Sequence, residues 1–169
     1  ECGQEQLVRD VRLAQIYEGT NGIQALDLLG RKVLAGNGAS LRLFAEEIRA
    51  FADSPAGAAQ PFGGELLAAL ERLEALSAWL GEQAAQDPAL VSAAAVDYLH
   101  LFGYVAYAFM WARMAAVAQA RRASDEAFYG AKLATAQFYF ARLLPRIHSL
   151  DAAIRSGSAP LYGLSDAQF

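Results

Sequence analysis

Tyr98-Leu-His-Leu-Phe-Gly-Tyr-Val-Ala-Tyr-Ala-Phe-Met-Trp111 is the stretch that decides the fold. It is apolar on nearly every side, bounded by Asp97 and Arg113, and does not alternate with the period of two that a half-buried strand requires. A membrane-spanning helix needs about 20 apolar residues, and this run is shorter and contains His100. A helix without a polar face is covered on most sides, so the run reads as the central helix of a bundle. Asp87-Pro88 marks its beginning, because proline suits the first turn of a helix and Asp87 can cap it. The spacing carries the helix from about Ala89 to Arg122.

Helical spacing dominates on both sides of this element. Downstream, Ser124-Asp-Glu126 opens a helix carrying Tyr129, Leu133, Ala136, Phe140, Leu143 and Ile147, which Pro145 should kink or reset by removing an internal hydrogen bond. Upstream, a helix over about Glu65–Gln86 sets Leu66, Leu70, Leu73, Leu80 and Ala84 in a stripe, with Trp79 alongside. Pro55, Gly57, Pro61, Gly63 and Gly64 predict a loop over 53–64. Before it, Leu41, Phe44, Ile48 and Phe51 oppose Arg42, Glu46, Glu47 and Arg49 on an amphipathic helix for which Ser40 is the expected cap. Gly36-Asn-Gly38 separates this from a helix over about Ile23–Leu34, with Ile23, Leu26 and Gly30 on one line and Thr20 or Asn21 as its cap. The first helix covers about Gln4–Ile16, with Leu7, Val11 and Ile16 apolar.

The fold class is therefore all-α: a helix–loop–helix unit followed by an antiparallel four-helix bundle with short connections. The domains read as residues 1–35, the bundle at 37–155, and a tail at 156–169. A chain of 169 residues, 55% hydrophobic, sustains its own core without disulfides or metal. Its one cysteine, Cys2, excludes a disulfide framework and a cysteine-based zinc site, and two histidines without ligand spacing argue against other metal centres. A net charge of -4 argues against nucleic acid as a partner. The first ten residues lack an apolar leader core. Glu1 is not a translation start, which predicts a processed chain or a piece of something longer.

Tyr17-Glu18-Gly19-Thr20 is the most informative stretch for chemistry. Glu18 sits at the end of one helix and just ahead of another. Gly19 lets the backbone approach a ligand, and a helix start suits a phosphate or a polarised oxygen. A carboxylate shielded by Ile16 and Tyr17 would have a raised pKa and could act as a base. By geometry alone, a plain interhelix turn explains the same residues.

Arg9-Asp10-Val-Arg12-Leu-Ala-Gln-Ile16-Tyr17-Glu18-Gly19-Thr20-Asn21-Gly22-Ile23-Gln24 closely resembles the C-terminal signature of acyl-CoA dehydrogenases. The resemblance covers about residues 5–32. With Thr20-Asn-Gly-Ile-Gln-Ala-Leu-Asp-Leu-Leu-Gly-Arg-Lys32 it is similar to the longer bacterial branch with an extra C-terminal helical domain, the 3-methylmercaptopropionyl-CoA dehydrogenase type. The resemblance implies that Glu18 is the base removing the α-proton of an acyl-CoA thioester, while the β-hydrogen leaves as hydride to FAD. It places Gly19 against the substrate and Thr20, Asn21 and Gly22 along FAD. Gly22 stands where short- and medium-chain enzymes usually carry glutamine, so only its backbone can serve there. The resemblance further implies electron-transfer flavoprotein as electron acceptor, a homo-oligomer, a bacterial cytoplasmic protein, and an isolated chain that is inactive without the flavin-holding domains upstream. A non-catalytic helical packing or dimerisation module is the rival reading. A DNA-binding flavoprotein is disfavoured for want of a basic stripe.

Elsewhere the structural readings lead. Asp97 and His100, three apart on one helix, are expected as a buried, satisfied pair. His148 suits a helix end, and Arg121-Arg122 a solvated one. The series Tyr98, Phe102, Tyr104, Tyr107, Phe109 and Trp111 reads as core, with a subunit interface as the alternative.

Overall fold

The computed structural model describes residues 3–16 and 19–168. The described residues are helical with no strand. Helix α1 spans Glu5–Val11 and tightens into a 3-10 turn over Arg12–Gln15. Helix α2, Asn21–Leu26, widens without a break into a π-helical stretch over Asp27–Leu34. Then come α3 (Ala39–Asp53), α4 (Pro55–Ala59), α5 (Gly63–Gln83) and the 32-residue α6 (Leu90–Arg121). Helix α7 (Glu126–Phe138) continues through a π turn at Tyr139–Leu143 and a 3-10 turn at Leu144–Arg146 into α8 (Ile147–Arg155).

Helix α6 is the axis, packed against α2, α4, α5, α7 and α8. By length and composition it could cross a membrane. Here it buries Tyr98, Leu101, Val105, Phe109 and a row of alanines against its neighbours, which is the work of a core helix. The alanines at 94, 95, 108, 112, 115, 116 and 118 let other helices come close. Helix α5 contributes Leu66, Leu70, Leu73, Leu76 and Leu80, all fully buried. Of the α3 stripe, Leu41 and Ile48 are buried, and half-buried Phe44 stacks on Phe102 at 5.2 Å between ring centres. The aromatic series of α6 is core, except that Tyr107 is 65% exposed.

Two ionic ties lie outside this core. Arg49 is paired with Glu74, joining α3 to α5. Asp151, nearly buried, accepts from Arg72 at 2.5 Å and from Arg155 at 2.8 Å, joining α5 to α8, and the Arg155 guanidinium lies 5.0 Å over Trp79.

Several local expectations are corrected. The 53–64 loop contains α4: Ser54 Oγ accepts from Gly57 N at 3.1 Å, Pro55 occupies the first turn, and a short helix forms where turn residues alone predicted none. Ser40 lies inside α3; the chain instead enters that helix through Asn37 and Gly38, with φ of 48° and 72°. Within the expected opening at 124–126, Asp125 caps α7 by accepting from Phe128 N at 3.0 Å. Asp87 does accept from Ala89 N, at 3.1 Å, ahead of α6, and its other oxygen accepts from Ser158 Oγ at 2.5 Å, tying the tail to the bundle. Pro145 resets its helix as its missing donor requires: the π and 3-10 turns absorb the break before α8.

The largest correction concerns α2. Its buried stripe is Ala25, Leu29 and Val33, not Ile23, Leu26 and Gly30. Ile23 is 63% exposed and Leu26 43%. The helix is apolar on two sides. The smaller alanine meets α6, because close packing favours a small residue where two helices approach. This stripe belongs to the same buried cluster as the bundle.

Candidate functional site

Helix α1 and the turn after it carry the first part of the motif. None of their residues is buried. The charged part of the signature is tied locally: Gln6 Nε2 donates to Asp10 Oδ1 at 2.7 Å, and Arg9 Nη2 donates to Gln6 Oε1 at 2.8 Å. Tyr17 and Glu18, the latter the expected base, lie outside the described residues.

Gly19 has φ of +109°, a conformation that L side chains rarely adopt, and a Cβ built on it would meet nothing within 4 Å. Thr20 stands at the N-cap of α2 and its carbonyl accepts from Gln24 N at 2.8 Å. Its side chain makes no capping bond, so the predicted cap is one of position, not of hydroxyl. Asn21 is the first helical residue, and the space before Gly22 is open. Residues 19–24 are all exposed. One turn on, Arg31 is paired with Asp27 and Lys32 approaches it at 3.9 Å. The hydrogen bond from Arg31 holds the Asp27 carboxyl below the usual carboxylate range.

The structure thus brings Gly19, Thr20, Asn21 and Gly22 together as one exposed turn of backbone at a helix start. A flat ligand group can lie against such main chain, since two glycines leave it uncovered and no side chain of the bundle closes over them. The apolar residues around the turn point the same way: Leu7, Val8, Val11, Leu13, Ile16 and Ile23 are 51–76% exposed. Exposing so much aliphatic surface is costly at about 25 cal/mol per Å², and contiguous faces of this kind mark contact surfaces. The sequence spacing identified the α1 apolar line but not that all of it is exposed.

The remaining candidates are structural. His100 is exposed and Asp97 half-buried, so the expected buried pair does not form: residue 100 falls on the outer side of α6. His148 is exposed within α8, and Arg122 is held by Glu126 through hydrogen bonds of 2.6–2.9 Å. The buried polar pair that does form is Tyr98 with Ser77, at 2.6 Å. Burial pushes the Tyr98 phenol up to about 12, against the opposing effect of the hydrogen bond it shares with Ser77.

With this geometry in place, comparison with known proteins is informative. The family described as Acetyl-CoA dehydrogenase C-terminal like matches residues 44–165. The chain is 40% identical over 151 residues to 3-methylmercaptopropionyl-CoA dehydrogenase of Ruegeria pomeroyi, covering 85% of this chain and 25% of that protein. It is 30% identical over 178 residues to a broad-specificity linear acyl-CoA dehydrogenase of Mycobacterium tuberculosis, covering 98% of this chain and 29% of that one. To butyryl-CoA dehydrogenase of Syntrophomonas wolfei it is 27% identical over 184 residues, covering 100% of this chain and 29% of the relative. The chain spans between a quarter and a third of the length of each of these relatives.

Proposed function

Because this chain belongs to the acyl-CoA dehydrogenase C-terminal domain family, we propose that it supplies the C-terminal part of an FAD-dependent enzyme that α,β-dehydrogenates an acyl-CoA thioester. The observation that supports the reading is the exposed turn at Gly19–Gly22, which follows Glu18 in the sequence and has exposed apolar residues on either side of it in the chain. In this reading Glu18 takes the proton from the α-carbon of the thioester. A carboxylate suits that step because the α-proton is only moderately acidic, and apolar neighbours such as Ile16 would strengthen the base by desolvating it. Gly19 packs against the thioester end of the substrate. Thr20, Asn21 and Gly22 hold the cofactor through main chain. FAD, when bound, supplies the acceptor for the β-hydride, and the organic product is a trans-2-enoyl-CoA.

The division at about residue 36 then separates two inheritances and not two packing units. Residues 1–35 belong to the catalytic part and 37–155 to an accessory bundle, with α2 of the first packed on α6 of the second. Electron-transfer flavoprotein as oxidant of the reduced cofactor, and a homo-oligomer, belong to the same proposal. The isolated chain should neither retain FAD through gel filtration nor turn over acyl-CoA, because the walls of the site are open.

A second reading is favoured by one observation: the family match begins at residue 44, beyond the turn. In that reading the bundle is a non-catalytic packing or dimerisation module. Glu18→Gln in the enzyme that contains this chain separates the two. The substitution keeps size and hydrogen bonding while removing the basic carboxylate. Turnover should fall by at least about 10²-fold, the lower range for loss of a general base, with FAD still bound. Unchanged turnover would remove Glu18 from the mechanism.

A further inference from the structure

A groove of about 470 Å³ runs along the seam of α6 and α7, away from the turn described above. Met110, Met114 and Val117 form one side, at 39–52% exposure, and Phe128 closes the other at 53%. From Met110 to Ala118 the floor is about two helical turns, roughly 12 Å. Two methionines make such a floor adaptable, since their unbranched side chains reshape around an apolar guest.

The charge at the rim is what selects a guest. The lining contains Arg113 and Lys132 and no carboxylate, in a chain whose net charge is -4. Lys132 Nζ lies 5.4 Å over the Phe128 ring, which holds it at the edge of the apolar floor, while the Arg113 guanidinium lies 5.5 Å over Phe109, a buried ring behind the lining. The nearest carboxylate partner of either is Glu47, 4.0 Å from Arg113, with both side chains more than half exposed. A pair of that length in water contributes little and leaves Arg113 available.

We infer that the α6–α7 groove is a binding site for a free single-chain amphipathic anion, with the alkyl chain on Met110, Met114, Val117 and Phe128 and the anionic head between Arg113 and Lys132. The inference does not rest on the dehydrogenase reading, and the site uses none of residues 1–35.

The test is calorimetric titration of the chain with sodium dodecanoate below micelle formation, with dodecyltrimethylammonium as the charge-reversed probe. Dodecanoate should bind saturably at one per chain, at least tenfold more tightly than the cation. Decanoate should bind more weakly by roughly fivefold, from two methylenes on a half-open floor. The Arg113→Glu/Lys132→Glu double variant should invert the preference, and Val117→Asp should weaken both probes. Circular dichroism melting checks that the variants fold; if they do not, the anion-against-cation comparison on the unaltered chain still decides. Equal binding of the two probes overturns the inference, as does dodecanoate binding that the folded variants leave unchanged. A sedimentation dimer broken by Val117→Asp overturns it in favour of a second copy. Binding to phosphatidylglycerol vesicles that depends on Arg113 and Lys132, without binding of free dodecanoate, overturns it in favour of a lipid surface.

Discussion

Gly57→Ala reverses what helix propensity predicts, and the structure says by how much. Gly57 lies in α4, and replacing a helical glycine by alanine ordinarily stabilises by up to about 1 kcal/mol. Here a Cβ would stand 2.0 Å from the carbonyl oxygen of Phe51, 2.8 Å from its carbonyl carbon and 3.0 Å from the Cα of Ala52. All three are backbone atoms, so no side chain can swing away; the α3–α4 corner itself must open. The Phe51 oxygen at risk accepts from Ser54 N at 3.0 Å and from Ser54 Oγ at 2.6 Å, and Ser54 Oγ in turn caps α4 at Gly57 N. The Gly57 carbonyl accepts from Gln60 Nε2 at 3.0 Å, and Gln60 Oε1 accepts from Phe62 N at 2.7 Å, next to the 4.4 Å stack of Phe62 on Phe140. Overpacking costs about 1–3 kcal/mol, loss of the cap about 1 and a strained buried hydrogen bond about 1. Set against the propensity gain, the net is destabilisation by about 3 kcal/mol. For a domain of this size that lowers Tm by roughly 6–12 °C. Differential scanning calorimetry of the two proteins measures it. A Tm for Gly57→Ala equal to or above that of the parent would refute the argument.

Three further outcomes are expected. Ser77→Ala should destabilise by about 2 kcal/mol and Tyr98→Phe by about 1 in urea titrations, because the first leaves a fully buried phenol without its partner while Ser77 Oγ still donates to the Leu73 carbonyl after the second; equal costs would refute that ordering. Removing residues 1–18 should leave the melting temperature of the bundle within about 2 °C, since α1 buries nothing, whereas starting the chain at residue 37 also deletes Ala25, Leu29 and Val33 from the core and should cost several times as much. Tyr98 and Tyr139 both have phenols raised mainly by burial, so below pH 10 both are neutral in either state and stability is flat. Between pH 10 and about 12 the unfolded chain loses these protons while the native state keeps them, and stability should fall by up to about 2.7 kcal/mol per pH unit in alkaline unfolding curves.

The bundle was legible because its signals are redundant. Leucines at helical spacing on α5, an apolar α6 and Pro145 each point to the same architecture, and one misread residue changes little. Ser40 failed as a cap because its neighbours offered a better solution, the left-handed backbone of Asn37–Gly38. The stripe of α2 was misread because Ile23 and Leu26 outweigh Ala25 in hydrophobicity, while packing against α6 rewards small size. The site was legible only through the resemblance of its motif. Its described part is an exposed turn at a helix start, and no spacing rule could reveal that α1 buries none of its apolar residues. Nor did spacing find the α6–α7 groove, because it lies between two helices and periodicity describes each helix alone.

Helix α2 joins two regions of unequal exposure. Its front turn, at residues 21–24, is bare, while Ala25, Leu29 and Val33 are sunk in the bundle. Anything that holds the front turn in its helical conformation, and binds the folded state alone, raises the free energy of unfolding of the whole by RT ln(1 + [L]/Kd). The melting of a core some distance away thereby becomes a thermometer for occupancy at Gly19–Gly22, readable without turnover or any optical signal from the ligand.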